Sequence, residues 1–305
     1  MALGILCPGQ GAQAPGMLDI LRGEPAAQAV LDAAAPRLGA DPRALAAGPL
    51  EAMQGNAVAQ PLLCAVQAAT WAALRPRLPP VRAVAGYSLG ELAAYGCADA
   101  LDTDELLELA CRRAAAMDEA GAVPGGLLAV RGLDRTRLAA LCRDHGVAIA
   151  IVNDLDRIVV GGLRDALAAF ELAAVAVGAA VTPLPVTVAS HTPLMAPAAA
   201  AFGRVLAASG LRAPLVPVLA GIDGTPVRSR DRAIATLARQ IAEPVEWAAC
   251  VDGLVEMGCT LLLELGPGNA LSRMVRDRYP ELAVRAVADF RSLDGVAGWV
   301  ERNAG

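Results

Sequence analysis

Three residues in this sequence have the types to do chemistry together: Ser88, His191 and Arg113. Ser88 stands in "VAGYSLGELAAYG", Val84 to Gly96, between Gly86 and Gly90. Val84 to Tyr87 reads as a strand and Leu89 onward as a helix, which puts Ser88 at the turn between them. A strained strand-to-helix turn needs small flanking residues, because larger Cβ atoms would clash there. It also exposes the hydroxyl at a helix N-terminus, where the dipole and the free N–H groups favour a developing anion. The bare G-x-S-x-G pattern recurs by chance, and the same residues would serve a tight turn with no chemistry. The strand before and the helix after favour a nucleophile.

A serine nucleophile needs a base, and the chain offers His145 and His191. His145, in "CRDHGV", falls in the last turn of a helix ahead of Gly146, the ordinary place for a histidine that meets helix carbonyls. His191 follows the alternating stretch "VTVAS", read as a strand, and precedes "TPLM" at the mouth of a loop. It is the better base; the alternative is a loop histidine bonded to water.

Arg113 is conspicuous by position. The helix "DTDELLELACRRAAAMDEAG" begins with Asp102 as N-cap and Glu105 three residues on, a capping-box arrangement, and stops before Gly121. At helical spacing Leu106, Leu109, Ala110, Arg113 and Met117 share one face, while Arg112 lies opposite with Glu108 as its helical partner. A guanidinium inside an apolar stripe is costly unless a carboxylate meets it. That carboxylate belongs either to the protein or to a ligand held by two parallel N–H bonds. A pocket serine with a buried arginine suggests acyl transfer of a group that ends in its own carboxylate.

The elements that must position these residues alternate. "LGILC" followed by "PGQGAQ", "VRAVAGYS" running into "LGELAAYG", and "LLLEL" meeting "GPG" and "NALSRMVRDR" repeat strand, tight turn, helix. This reads as α/β with a mostly parallel sheet. Between them, "GLLAVRGL", "DRTRLAALCRDHG", "VAIAIVND", "RIVVGG", "RDALAAFELAAVAVGA" and "VTPLPVTVA" follow β-α-β-β-α-β order, the ferredoxin-like pattern. The expected organisation is a body of residues 1–124 and 189–305 with an inserted small domain at 125–188.

Composition narrows the function classes. The net charge of −5 and 3% aromatics argue against a nucleic-acid surface. The basic residues are all arginine, which points to codon bias and lowers the information in any one of them. Seven cysteines without a C-x-x-C pair, beside two histidines, make no zinc pattern and read as small core residues of a reducing compartment. The opening "MALGILCPGQG" has no basic region and its apolar run stops at Pro8, so no signal peptide is expected. Leu172 to Gly203 lacks Asp, Glu and Arg, yet Pro183, Pro185, Pro193 and Pro197 break it as a membrane span. The expectation is a cytoplasmic protein with no membrane, nucleic-acid or metal partner.

Seven stretches, in order along nearly the whole chain, together resemble the malonyl-CoA:acyl carrier protein transacylases. They are "PGQGAQ" (8–13), "GYSLGE" (86–91), Arg113 four before Met117, "NDLDRIVVGG" (153–162), "SHTPLM" (190–195), "RQIAEPVEW" (239–247) and "ELGPGNAL" (264–271). The resemblance implies an α/β-hydrolase-like body with a ferredoxin-like insert. It also implies Ser88 as nucleophile, His191 as base, and Gln240 in place of a triad acid, orienting His191 through its backbone carbonyl. Further, it implies the N–H groups of Gln10 and Leu89 as oxyanion hole and Arg113 as clamp for the malonyl carboxylate. The implied reaction is ping-pong: malonyl-CoA loads Ser88, and a carrier protein's phosphopantetheine-type thiol takes the group, with no bound cofactor. Tyr87, where fatty-acid members usually carry histidine, and the wording of "SHTPLM" look more like the malonate decarboxylase branch, whose epsilon subunit charges that enzyme's carrier subunit. Fatty-acid or polyketide supply is the alternative.

Two other classes stay open at this level. An esterase or thioesterase would orient its histidine with an Asp or Glu, and several acids lie between Ser88 and His191. A non-catalytic module would use Ser88 only as a turn. Carrier proteins are typically acidic, so Arg228, Arg230, Arg232, Arg273, Arg276 and Arg278 are candidates for steering one.

Overall fold

The computed structural model describes residues 2–304. In chain order the first half runs β1 (Ala2–Cys7), α1 (Pro25–Leu38), α2 (Pro42–Ala47), α3 (Asn56–Leu74), β2 (Val81–Gly86), α4 (Leu89–Cys97) and α5 (Thr103–Ala120). The middle runs β3 (Gly125–Arg131), α6 (Arg135–His145), β4 (Ala148–Asp154), β5 (Arg157–Leu163), α7 (Arg164–Ala176) and β6 (Ala180–Pro183). The rest is α8 (Ala196–Ala208), β7 (Val218–Leu219), β8 (Pro226–Val227), α9 (Arg230–Gln240), α10 (Trp247–Glu256), β9 (Cys259–Glu264), α11 (Ala270–Arg278), β10 (Ala283–Ala286) and α12 (Leu293–Ala304).

The larger sheet has the order β10-β9-β1-β2-β7-β8 and is parallel except for the β7–β8 pair. Its central strands are buried on both faces, and their side chains are accordingly unbroken apolar runs such as Leu3, Ile5, Leu6 and Cys7. The apolar helix α3 has the length and composition of a membrane span, but it is mostly buried, packed against α1 and α5. The smaller sheet has the order β4-β5-β3-β6 and is antiparallel throughout, the ferredoxin-like arrangement of its β-α-β-β-α-β order. An isolated parallel bridge, Ile151 to Val245, ties it to the body. There Val152 N–H donates to the Val245 carbonyl at 2.8 Å and Val245 N–H to the Ala150 carbonyl at 2.9 Å.

Two local expectations need correction. The stretch "VTVAS" alternates like a strand but is not one: β6 stops at Pro183, and residues 184–190 run as an irregular loop. Pro183 and Pro185 lack the N–H that a ladder needs. At the start of α5, Asp102 accepts from Glu105 N–H at 2.9 Å, but the Glu105 carboxylate accepts from Gly210 N–H instead of turning back. The capping box is therefore half made, and its second half pins the end of α8's connection to α5. The Arg112–Glu108 pair forms as the helical spacing requires, at 2.8 Å.

The turn between β2 and α4 is closely packed. A Cβ on Gly86 would lie 2.2 Å from the Gly90 backbone, and one on Gly90 would lie 2.0 Å from the Cys7 carbonyl oxygen. Neither neighbour is a flexible side chain, so the backbone itself would have to move. Gly90→Ala should therefore lower stability by ~3 kcal/mol. Thermal and denaturant melts check this, and an unshifted midpoint would contradict the close approach.

Candidate active site

Ser88 adopts φ 54 and ψ −117, a conformation that side-chain-bearing residues rarely adopt and that costs energy. The cost is met by the packing of Gly86 and Gly90 around it. The result is that Ser88 leaves the sheet at the mouth of α4 with its Oγ 2.7 Å from His191 Nε2. Leu89 is the first residue of α4, so its N–H belongs to the helix donors that have no intrahelical acceptor.

His191 is held from a different direction. It also has positive φ (62), and its own N–H donates to the Ile241 carbonyl at 2.9 Å. Its Nδ1 lies 2.6 Å from the Gln240 backbone oxygen. A carbonyl only accepts, so Nδ1 carries the hydrogen and Nε2 is bare, ready to accept the Ser88 hydroxyl hydrogen. Gln240 can serve because it ends α9, where the last carbonyls of a helix lack intrahelical partners. Among the described residues no carboxylate pairs with His191. Burial, with the nearby Arg113 charge, lowers the imidazole to about 4 despite the opposing bond to Gln240.

Arg113 is 3% exposed. Its two terminal nitrogens meet neutral oxygens: Gln60 Oε1 at 2.9 Å and Gln240 Oε1 at 3.4 Å. Among the described residues it forms no salt bridge, so the internal carboxylate that would make it merely structural is not there. The Cys64 thiol beside it is pushed up to about 12 by burial and stays neutral. Burial lowers the guanidinium itself to about 10, which still leaves it charged at neutral pH. A buried cation whose hydrogen-bond partners are all neutral is a ready receptor for an anion.

A cavity of about 290 Å³ joins Ser88 and His191 to solvent; with them Gln10 and Tyr87 line it from the body, and Leu127, Ile151 and Val186 from the small-sheet side. Arg113 does not line this cavity; it is joined to the serine through the Gln240 amide, whose oxygen accepts from Arg113 and whose nitrogen donates to the Ser88 carbonyl. A larger cavity of about 530 Å³, between the loop after β1 and the loop after β9, contains none of the serine, histidine or arginine. His145 is remote from the site, at the end of α6 with its ring edge against Phe170.

Gln60 and Glu91 were not singled out from the sequence, yet both are wholly buried at the site. Their signal was the one that exposed Arg113, a polar residue inside an apolar helix. Of the arginines considered for steering a carrier, four are engaged. Arg230 donates to the carbonyls of Leu211 and Ala207, Arg276 to that of Val284, and Arg232 and Arg278 pair with Asp223 and Asp252. None of the six lines the cavity.

The pattern of the acyl transferase domain family matches residues 5–303. The malonyl CoA-acyl carrier protein transacylase of Escherichia coli strain K12 is 33% identical over 293 residues, covering 92% of this chain and 94% of that one. The transacylase of the same name from Mycobacterium tuberculosis strain H37Rv is 33% identical over 300 residues, covering 97% and 99%. Among solved structures, the malonyl CoA-acyl carrier protein transacylase of Coxiella burnetii superposes with a TM-score of 0.93 at 28% identity, over 99% of this chain and 98% of that one. A malonyl-transacylase solved in complex with its type II PKS acyl-carrier protein superposes at 0.92 with 31% identity, over 98% and 99%. With a strained serine on a bare imidazole nitrogen and a family match over nearly its full length, this chain is an acyltransferase and belongs to the malonyl-CoA:acyl carrier protein transacylase family.

Proposed function

We propose that this protein moves a malonyl group from malonyl-CoA to the phosphopantetheine-type thiol of an acyl carrier protein, in the cytoplasm, through a malonyl-Ser88 intermediate. The observation that carries the reading is the buried, carboxylate-free Arg113, bonded to the same Gln240 whose carbonyl orients His191 beside Ser88. Ser88 Oγ attacks the thioester carbonyl while its hydrogen passes to His191 Nε2. The Nδ1–H bond to the Gln240 carbonyl holds the imidazolium that forms. The N–H groups of Gln10 and Leu89 receive the oxyanion, and Arg113 the malonyl carboxylate. Collapse expels the CoA thiolate, which takes the proton from His191. The carrier thiol then repeats the steps in reverse, giving its hydrogen to His191 and releasing Ser88. Transfer in place of hydrolysis is supported by the orientation of His191 by a backbone carbonyl, where the hydrolase pattern uses a carboxylate.

The finer reading is that the carrier is the small subunit of a malonate decarboxylase. Tyr87 supports it, set beside the nucleophile with its ring centroid 5.5 Å from that of Trp247 in an edge-on pair. The names of the relatives, malonyl CoA-acyl carrier protein transacylase and a malonyl-transacylase with its type II PKS acyl-carrier protein, support the alternative, an acyl carrier protein outside a decarboxylase. Intact-mass measurement after brief mixing with malonyl-CoA should show a malonyl adduct that Ser88→Ala abolishes, with turnover down roughly 10³-fold or more. Discharge of the adduct by one carrier and not the other decides the branch, loss to water alone would make the protein a hydrolase, and no adduct would end the serine assignment.

Replacing Arg113 by Ala should cost malonyl loading ~2–4 kcal/mol in kcat/KM while acetyl loading is spared or raised, because the lost contact is a desolvated charge pair. Equal losses for the two acyl groups would count against the clamp.

The lowered His191 sets the pH response. A base that titrates near 4 is neutral, and so competent, at every higher pH. Acetyl loading, which makes no call on Arg113, should hold steady as pH falls through 6.5 and decline only near 4. A decline centred on 6.5 would mean that the imidazole is solvated.

A further inference from the structure

Glu91 stands on α4 three residues after the nucleophile, fully buried, with no ion-pair partner among the described residues. One carboxylate oxygen, Oε2, accepts from Gly221 N–H at 3.0 Å and from Gln240 Nε2 at 2.6 Å. The other, Oε1, is closed off from solvent and meets no donor. Gln240 Nε2 donates as well to the Ser88 backbone carbonyl at 2.9 Å, and Gln240 Oε1 faces Arg113. The mechanism above uses only the backbone carbonyl of Gln240 and leaves its side chain and Glu91 without a task.

Only one setting of this amide satisfies its neighbours. Turned over, it would point its oxygen at the Glu91 carboxylate and the Ser88 carbonyl, acceptor against acceptor, and its NH₂ at a guanidinium, donor against donor. An ionised Glu91 is acceptor-only and forbids the turn. A protonated carboxyl, or a glutamine in its place, can donate to a turned amide and removes the charged part of that constraint, leaving the Ser88 carbonyl and the guanidinium to oppose the turn. We propose that Glu91 is a positioning residue whose ionised carboxylate locks the Gln240 side chain with its oxygen toward Arg113, and thereby sets the guanidinium for the acyl group's carboxylate. The inference rests on the malonyl-transfer reading above and adds to it a residue that tunes selectivity for a carboxylated acyl group.

The lock is sensitive to pH near neutrality, because burial pushes Glu91 up to about 7. The bonds from Gln240 and Gly221 and the charge of Arg113 on α5 oppose that rise, while Asp223, after β7, adds to it. Tyr95 on α4 and Cys250 on α10 also face Glu91; burial raises both well above their ordinary values, so they stay neutral there. As pH falls through 7 the protonated fraction grows and the lock loosens.

The test compares kcat/KM for loading by malonyl-CoA and by acetyl-CoA between about pH 6 and 8.5, in the parent enzyme, in Glu91→Gln, and in each with Arg113→Ala. The parent's malonyl-to-acetyl ratio should fall about fivefold from pH 8 to 6, the scale of one weakened charge-assisted contact. Glu91→Gln should show the low ratio at every pH. With Arg113→Ala in place, adding Glu91→Gln should leave the ratio where Arg113→Ala alone puts it. A parent ratio that is flat with pH, a Glu91→Gln ratio equal to the parent's, or a Glu91→Gln effect that persists without Arg113 would each overturn the proposal. Should Glu91→Gln fail to fold, the parent's pH profile decides by itself. Absence of malonyl loading in the parent would overturn the transacylase reading and this inference with it, an outcome distinct from a loaded serine indifferent to Glu91.

Discussion

The site depends on one hydrogen bond, from His191 Nδ1 to the carbonyl that ends α9, 2.6 Å long. It fixes which imidazole nitrogen is bare, and so whether Ser88 has anything to give its hydrogen to. A main-chain carbonyl is a weaker partner for an imidazolium than a carboxylate would be. Burial, with the Arg113 charge nearby, makes the base weak, at about 4, and the carbonyl bond offsets that only in part. Such a base suits an acyl group already activated as a thioester, whose leaving group needs little help. The rest of the body brings two chain ends to that bond: the strand-to-helix turn carrying Ser88, and the loop that enters α8 carrying His191.

Around this neutral pair lie two buried ionisable groups of opposite sign that do not touch. Arg113 and Glu91 are joined through the Gln240 amide, its oxygen toward one and its nitrogen toward the other. Direct pairing would satisfy both charges and leave nothing for a ligand. Separation by a neutral amide keeps each charge from full compensation, which is unfavourable for stability and useful for binding. Glu264 makes the contrast. It is also a buried carboxylate, but it accepts from the N–H groups of Leu271 and Ser272 at the start of α11, a structural task complete in itself.

Much of this was legible in the sequence because the relevant signals are periodic or steric. Gly86 and Gly90 marked the turn, helical spacing put Arg113 on the buried face and Arg112 in water, and the β-α-β-β-α-β order of the middle segment predicted the antiparallel sheet. The carbonyl of Gln240 has no side-chain signature, and only a resemblance pointed to it. Gln60 and Glu91 carried the same kind of signal as Arg113, but α3 and α4 are apolar nearly all round, so no polar face stood opposite to mark theirs as the buried one. The stretch after β6 misled for the opposite reason: Val-Thr-Val alternates as a strand does, but the flanking prolines decide whether a ladder can form, and they deny it.

The two sheets divide the cavity between them. The larger sheet carries the turn that holds Ser88, while Leu127, Ile151 and Val186, from or beside the smaller one, form the opposing wall. The nucleophile and the wall facing it are thus carried by different stretches of chain, joined at the Ile151–Val245 bridge. In evolutionary terms the wall is free to drift: side chains there can shrink or swell to admit a different acyl group without disturbing the strained serine or the histidine that serves it. A fold built this way can change its diet while keeping its teeth.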